Sequence, residues 1–201
     1  MTTIETVEEL EALYGTVSAP AVRKVADRMV PVYRRWVMAS RFCILTTVGP
    51  EGSDGSPRGD DGPVVTEIDD KTLAMPDWRG NNRTDSLRNI VRDGRVSLLF
   101  MVPGSDNVVR VNGTAQLTVD PEMIARFERK GLAPRTVILF TIAEIYFQCS
   151  RALMRSGLWK ADDESEGLPS AGEILAAVTK GEVGGADYDA EWPVRARESM
   201  W

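Results

Sequence analysis

Hydrophobic residues recur at two spacings along the chain, and the spacing changes near residue 41. Beyond that point six segments have the apolar or alternating patterns of β-strands: FCILTTVG, VVTEI, TLAMP, RVSLLFMV, NVVRVNGTAQLTV and TVILFTIAEIYFQC. Helical patterns interrupt them only near positions 83–93 and 121–130. Short turns between most of the strands predict antiparallel neighbours, and closure into a small barrel would remove the edges that such apolar strands expose.

Helical spacing dominates the residues before this region. A capping box of Thr6 and Glu9 opens the first helix, and Pro31 is expected to end or kink a later one. The last ~40 residues are rich in Gly and acidic residues, with one short helix predicted from Ser170 and Glu173 through Val178. We therefore predict N-terminal helices packing on the barrel (1–40), a barrel domain (41–160) and a C-terminal extension (161–201).

The composition excludes several kinds of catalysis. The 201 residues include no His and two Cys. Without imidazole there is no Ser-His-Asp or Cys-His catalytic group and no His-ligated metal, so redox or acid-base chemistry must come from other side chains or from a bound cofactor. Cys43 and Cys149 lie far apart with no CxxC spacing, which predicts reduced thiols and no metal site.

The charge and the N-terminal residues bear on partners and location. The net charge of -6 disfavours a generic nucleic-acid surface. The opening MTTIETVEELEAL has acidic residues where a signal peptide is basic, and no apolar run reaches the ~20 residues of a membrane span. The expectation is a cytoplasmic protein that binds neither nucleic acid nor membrane.

The segment Ser56-Pro57-Arg58-Gly59-Asp60 is the first that could bind a ligand. Pro restricts one backbone angle and Gly relaxes another, so a loop here could present backbone N–H groups and the Arg58 side chain. An ordinary surface turn between strands is the alternative.

The second candidate segment runs from Asp77 to Ser86, between a predicted strand and a predicted helix. A helix start favours an anion, and this one is surrounded by guanidinium, amide and hydroxyl donors. These donors are Arg79, Asn81, Asn82, Arg83 and Ser86. A phosphate would suit them, while the alternative is a capped helix whose arginines pair with the aspartates at positions 77 and 85.

The third candidate segment runs from Cys149 to Trp159. Arg151 and Arg155 are four residues apart and would share a helix face, where they could clamp an anion or form an interface. Trp159 could stack on a flat ring, although Trp is more often buried in a core or an interface.

Taken together, these segments resemble a known family. SPRGD, PDWRGNNRTDSLRNI, RVSLLFMVPG with RVNGTA, and FQCSRALMRSGLW follow the order and approximate spacing of the pyridoxamine 5′-phosphate oxidase-related FMN-binding proteins. The resemblance covers about residues 41–159. It implies a mainly β fold with flanking helices (α+β), a six-stranded antiparallel split β-barrel, and a homodimer with one FMN at each subunit boundary.

The resemblance also implies roles for single residues. Arg58 and Gly59 would lie near the isoalloxazine ring, and the C-terminal motif would approach the flavin from the other subunit. The matching positions for the phosphate and ribityl chain are Asn81, Asn82, Arg83 and Ser86, with Arg79 nearby, and those of the C-terminal motif are Arg151, Arg155 and Trp159.

The chain departs from the family pattern at two places. Asp61-Gly62-Pro63-Val64-Val65 stands where a PPGFV-like string is expected, which removes an aromatic residue near the ring site. Gln148 and Arg151 stand where the pattern has His and Lys. Both changes at the second place keep a polar or cationic group, so FMN binding is still expected, but no catalytic acid or base is identified.

Three functions remain open from the sequence. The preferred one is an FMN-dependent oxidoreductase acting on a small molecule, with NAD(P)H as a candidate electron donor, because the cofactor would carry the redox chemistry in a chain without His. The second is a non-catalytic binder of flavin, deazaflavin or haem that serves as a sensor or store. The third is a ligand-free structural dimer whose arginines make only salt bridges.

Overall fold

The computed structural model describes residues 1–200, and an antiparallel sheet of seven strands forms its centre. The order across the sheet is β2-β1-β5-β6-β7-β4-β3. The strands are β1 (Phe42–Gly49), β2 (Gly52–Gly59), β3 (Thr66–Glu67), β4 (Thr72–Asp77), β5 (Arg95–Met101), β6 (Val108–Thr118) and β7 (Thr136–Gln148).

The core lies on one face of this sheet because alternate side chains of each strand point the same way. In β1, Cys43 and Leu45 are buried, and their register partners Phe100 and Leu98 in β5 are buried beside them. The predicted alternation of β6 is confirmed, since Val109, Val111 and Ala115 are buried. Its register with β7 shifts once, where the partner of Asn112 is Glu144 but the partner of the next residue is Ile142. One β7 residue is therefore left out of the pairing, as in a β-bulge.

The prediction of six strands was wrong by one, because the segment read as a turn-rich loop is strand β2. Gly52–Gly59 pairs with β1 along its whole length, from Gly49↔Gly52 to Phe42↔Gly59. Its Gly, Ser and Pro residues indicate a turn on local grounds, but the backbone of β1 supplies hydrogen-bond partners for an edge strand. Pro57 is compatible with that position, since an edge strand leaves every second N–H group unpaired.

Side chains connect β2, at one edge of the sheet, to β4, which lies next to the other edge strand. Arg58 in β2 donates from Nη1 to Asp77 Oδ1 in β4 at 2.6 Å, although these strands lie at opposite sides of the strand order. Beside this pair, Trp78 donates from Nε1 to Asp60 Oδ2 at 3.0 Å. The sheet is therefore strongly curved, which brings β2 and β4 close together. We call the line along which these two strands meet the seam, and an ion pair and an indole hydrogen bond join its two sides.

Eight helices flank the sheet within residues 1–200: α1 (Val7–Tyr14), α2 (Ala19–Arg23), α3 (Pro31–Val37), α4 (Asp85–Arg92), α5 (Pro121–Ala125), α6 (Arg151–Ser156), α7 (Ala171–Val178) and α8 (Ala186–Glu198). The predicted start of α1 is confirmed, since Thr6 accepts the Glu9 N–H. The capping box of α7, formed by Ser170 and Glu173, is confirmed as well.

The C-terminal extension contains two helices, whereas the sequence predicted one. The additional helix α8 is polar on average, has no buried residue and contains Pro193, so it lacks the apolar stripe by which a helix is recognised. Contacts with α7 hold it: Asp189 accepts a hydrogen bond from the Ser170 hydroxyl and another from the Gly172 N–H.

Candidate functional site

A cleft of about 1440 Å³ opens at the seam between β2 and β4. Four parts of the chain form most of its lining: residues 54–61 in and after β2, residues 75–87 from β4 into α4, residues 132, 133, 135 and 136 up to the start of β7, and Trp192 with Met200 near the C-terminus. Seven of the ten predicted cofactor-binding residues lie on its wall, namely Arg58, Gly59, Arg79, Asn81, Asn82, Arg83 and Ser86.

Arg58 is the most firmly held cation on the β2 side. Its side chain and that of Asp77 are each 20% exposed, and the 2.6 Å contact between them keeps the guanidinium at the seam. Its Nε atom is buried without a hydrogen-bond partner. Since guanidinium carries five N–H donors in a rigid fork, the Asp77 contact leaves donor capacity in the cleft wall for a ligand.

The opposite wall has an unusual backbone at the start of α4. Asn82 (φ 60) and Thr84 (φ 54) adopt the left-handed conformation, which is uncommon for residues other than Gly. Thr84 occupies the N-cap without a side-chain cap, so the first N–H groups of α4 have no hydroxyl partner there. Asn81 accepts the N–H of Arg83 at 3.0 Å and thereby shapes the loop. Such a loop and helix start form an environment for an anion.

Arg83 lies at the rim of this wall. Its side chain is 80% exposed, and its Nε donates to Asp85 Oδ2. The alternative that the arginines pair with the nearby aspartates is therefore correct for this residue. Asp77, however, pairs with Arg58 rather than with Arg79, which is exposed at the cleft.

Ser86 is buried, and its hydroxyl is already bonded within the protein. Its Oγ donates to Asp54 Oδ2 at 2.5 Å, which ties the first turn of α4 to β2. About one turn later, Asn89 donates from Nδ2 to Thr47 Oγ1 at 3.1 Å. These two bonds hold α4 against β1 and β2 and so determine where its N-terminus meets the cleft.

Two lining residues at the start of β7 were missed by the sequence analysis. Arg135, just before the strand, donates from Nη1 to Asn82 Oδ1 at 3.2 Å, which adds a cation to the Asn81–Arg83 loop. Thr136, the first residue of β7, has a buried hydroxyl without a hydrogen-bond partner. Their position at the start of a predicted strand was visible in the sequence, but the pairing of β7 with β4 is what brings them here.

The third predicted segment does not reach the cleft of its own chain. Arg151, Arg155 and Trp159 are absent from the cleft lining within residues 1–200. Trp159 donates instead from Nε1 to the Ser105 carbonyl at 2.8 Å, beside the connection between β5 and β6. One chain therefore assembles two of the three candidate segments.

Side chains other than arginine offer little reactive chemistry. Cys43 is buried, and burial raises the pKa of its thiol to about 12, with a smaller opposing effect from Arg58. Within residues 1–200, no group of three or more Cys, Asp or Glu side chains is arranged to hold a metal ion. None of the helices described combines the length and apolar character that crossing a membrane requires. The chemical resources of the cleft are thus its guanidinium and amide donors and the helix start at α4, which is an environment suited to an anion.

Comparison with known proteins gives a family and a fold. Residues 29–149 match the family described as pyridoxamine 5′-phosphate oxidase. A HupZ variant from Group A Streptococcus has a similar structure, with a TM-score of 0.50 at 15% identity over 59% of this chain and 98% of that one. Among curated proteins, no sequence matches.

Two further solved structures are more distant. A candidate pyridoxamine 5′-phosphate oxidase from Lactobacillus delbrueckii gives a TM-score of 0.47 at 21% identity, over 60% of this chain and 95% of that one. An F420 reductase gives a TM-score of 0.42 at 16% identity, over 60% of this chain and 98% of that one.

Proposed function

Because the chain belongs to the pyridoxamine 5′-phosphate oxidase family, we propose that it binds FMN in the seam cleft and acts as an FMN-dependent oxidoreductase on a small molecule. The observation that carries this proposal is the joining of Arg58 and the Asn81–Ser86 segment in one cleft of about 1440 Å³. The curved sheet is taken to be a variant of the six-stranded split barrel, extended by the two-residue strand β3.

The residues present fit such a cofactor. The cleft is larger than the roughly 300–1,000 Å³ typical of small-molecule sites, so a flavin mononucleotide has room. Two buried polar atoms in its wall, Arg58 Nε and Thr136 Oγ1, have no partner within the protein. Polar groups left in this state are uncommon, and a ligand that orders the cleft would give them partners.

The phosphate would be held at the start of α4. Arg83 uses Nε for Asp85, which leaves its two Nη groups for phosphate oxygens. Arg79 and Arg135 supply further positive charge along the same wall, and Asn81 and Asn82 lie in the loop that ends at the free N–H groups of the helix. The dipole of α4 favours a negative charge at this end.

The ring system would lie toward the seam, beside Arg58 and Gly59. When bound, FMN supplies the electron and hydride transfer that no side chain of this cleft provides. Arg58 would hold a positive charge next to the ring, and its bond to Asp77 limits the movement of that charge. Gly59 has no side chain, so the ring could come close to its backbone.

A second copy of the chain would complete the cleft. The C-terminal motif points to this arrangement, because it does not reach the cleft of its own chain. In a homodimer, Arg151, Arg155 and Trp159 of the partner subunit would approach the flavin. The proposal also includes a cofactor-binding domain of residues 41–160, to which residues 1–40 and 161–201 are additions. The proposed location is the cytoplasm.

Haem is less compatible with this cleft than flavin. Cys43 is buried, and the raised pKa of its thiol disfavours the thiolate that ligates iron. Among residues 1–200, the lining includes no Cys or Tyr, and its thioether side chains are those of Met75 and Met200. A flavin or deazaflavin sensor without turnover remains the second candidate, and the reduction experiment below separates it from an enzyme.

Titration with FMN and riboflavin tests the phosphate site directly, because the two ligands share the ring and the ribityl chain. The wild-type protein should bind FMN more tightly than riboflavin. Replacing Arg83→Leu should weaken FMN binding about tenfold, the value of one charge-assisted contact, and leave riboflavin binding unchanged. Arg23→Leu, an exposed change on α2 outside the cleft, serves as the matched control.

Reduction by NADH or NADPH, followed by stopped-flow reoxidation with candidate acceptors, then distinguishes catalyst from binder. Turnover supports the oxidoreductase, whereas bound flavin that neither donor reduces supports the sensor or storage function. A protein that binds neither FMN nor riboflavin would refute the FMN-dependent enzyme and the flavin sensor, and one that also fails to bind a deazaflavin would refute the second candidate entirely.

A further inference from the structure

The C-terminal helix α8 contributes an aromatic side chain to the cleft from outside the family domain. Trp192 is one of the residues that line the cleft, and it is half exposed. The family match ends at residue 149, so this side chain belongs to the C-terminal extension. α8 packs mainly against α7, where Asp189 receives the hydrogen bonds of Ser170 and Gly172.

The indole of Trp192 is held in a short aromatic stack. Tyr188, one turn earlier, lies nearly parallel to it, with ring centroids 6.3 Å apart and an interplanar angle of 8°. The Arg195 guanidinium lies 4.6 Å from the Tyr188 ring centroid and 5.4 Å from that of Trp192. These contacts on α8 itself restrict the indole, so Trp192 can present a flat apolar surface at low entropic cost.

The size of the cleft leaves space for a second molecule. A site of about 1440 Å³ exceeds the usual range for one small ligand. Chemistry on a flavin requires the reacting partner to lie against the cofactor at roughly 3–3.5 Å. The second molecule therefore has to share this cleft, between the cofactor and the remaining wall.

The charges of the cleft favour an uncharged second molecule. Within residues 1–200, five aspartates and four arginines line it. A bound phosphate would engage the arginines around Arg83, while Arg195 beside Trp192 pairs with Glu191 at 3.9 Å and Asp61 pairs with Arg129 at 2.7 Å. Burying a further charge beside side chains that already have partners is costly, which favours a neutral molecule.

We propose that Trp192 forms the wall of a substrate subsite that takes an uncharged planar aromatic molecule. This inference rests on the proposed FMN site, because the cofactor would form the other wall. Trp192 is then a specificity-determining residue, acting by ring stacking.

Calorimetric titration of the FMN-loaded protein tests the subsite without requiring turnover. The probes are 2-naphthol, its saturated analogue decahydro-2-naphthol and the planar anion 2-naphthoate. In the wild type, 2-naphthol should bind at least about tenfold more tightly than either of the others, since stacking alone contributes on this scale.

Variants at position 192 show whether a loss of binding comes from lost ring stacking or from a change in the fold. Trp192→Leu should weaken 2-naphthol binding about tenfold, and Trp192→Phe should restore most of it, with FMN affinity unchanged in both. Val194→Ala, an exposed change on α8 outside the cleft lining, should leave all constants unchanged. Equal binding of 2-naphthol to wild type and Trp192→Leu, or equal binding of the planar and saturated probes, overturns the inference while leaving FMN binding intact. Failure of the wild type to bind FMN instead refutes the proposed cofactor site and removes the subsite with it.

Discussion

Replacing Gly49→Ala tests how the sheet positions the helix at the cleft. Gly49 is the last residue of β1, and a Cβ atom there would lie 2.9 Å from Asn89 Cγ and closer still to Asn89 Oδ1. Asn89 is only 9% exposed, and its Nδ2 donates to the buried Thr47 hydroxyl at 3.1 Å. The new methyl group therefore forces Asn89 away from Thr47.

The expected loss of stability follows from two effects. Overpacking of a buried position costs roughly 1–3 kcal/mol, and a buried polar group without its hydrogen bond costs about 1–3 kcal/mol more. Because partial relaxation of Asn89 reduces both, we expect Gly49→Ala to lower the free energy of unfolding by about 3 kcal/mol.

Urea unfolding followed by Trp fluorescence measures this loss in a double-mutant cycle. Asn89→Ala alone should also destabilise, because Thr47 loses its partner. In the Asn89→Ala background, however, the shortened side chain leaves room for the methyl group, so adding Gly49→Ala should cost less than about 1 kcal/mol. The reasoning fails if Gly49→Ala costs the same in both backgrounds, since the contact with Asn89 would then not be the cause.

The remaining predictions concern the bulge and the buried thiol. Gly113→Ala should destabilise the fold by more than about 3 kcal/mol or prevent folding, because a Cβ would lie 3.0 Å from the Thr141 carbonyl carbon and closer to its oxygen. Gly55→Ala is the control, since the nearest atom to its Cβ would be 4.0 Å away, and it should be nearly neutral in thermal unfolding. Burial raises the pKa of the Cys43 thiol from 9.0 to about 12, so the unfolded chain loses the thiol proton at lower pH than the folded chain. The stability that the buried neutral thiol contributes is complete below pH 9. Between pH 9 and 12 the free energy of unfolding should therefore decline by about 1.4 kcal/mol per pH unit. Cys43→Ala should remove that part of the pH dependence in urea unfolding at pH 8–10.5, and an unchanged slope would contradict it.

Much of the fold was predictable because its patterns are local. Alternation in β6 and the apolar runs of β1, β5 and β7 identified those strands, and the capping boxes at Thr6 and Ser170 identified two helix starts. Each of these signals involves residues within a few positions of one another. They report the local backbone state, which the side chains of the same segment largely determine.

Strand β2 shows the limit of such signals. Its Gly, Ser and Pro content favours a turn, and only the hydrogen bonds offered by β1 make it an edge strand. Helix α8 was missed for the related reason that its contacts with α7, rather than an apolar stripe, hold it. In both cases the partner that decides the structure lies elsewhere in the chain.

The candidate site likewise has parts that local sequence predicted and parts that depended on distant contacts. The segment proposed to bind an anion, with Arg83 and the two asparagines, was predicted from residue types at the start of a predicted helix, where free N–H groups occur. The Arg58–Asp77 contact, the burial of the unpartnered Thr136 hydroxyl and the position of Trp192 at the cleft were decided only by the curvature of the sheet and by the packing of the C-terminal helices. Sequence alone therefore determined which donor groups follow one another at the helix start, because that depends on residue type and local backbone. Tertiary structure decided which of them share one cleft, because pairing between distant strands sets the distances between their side chains.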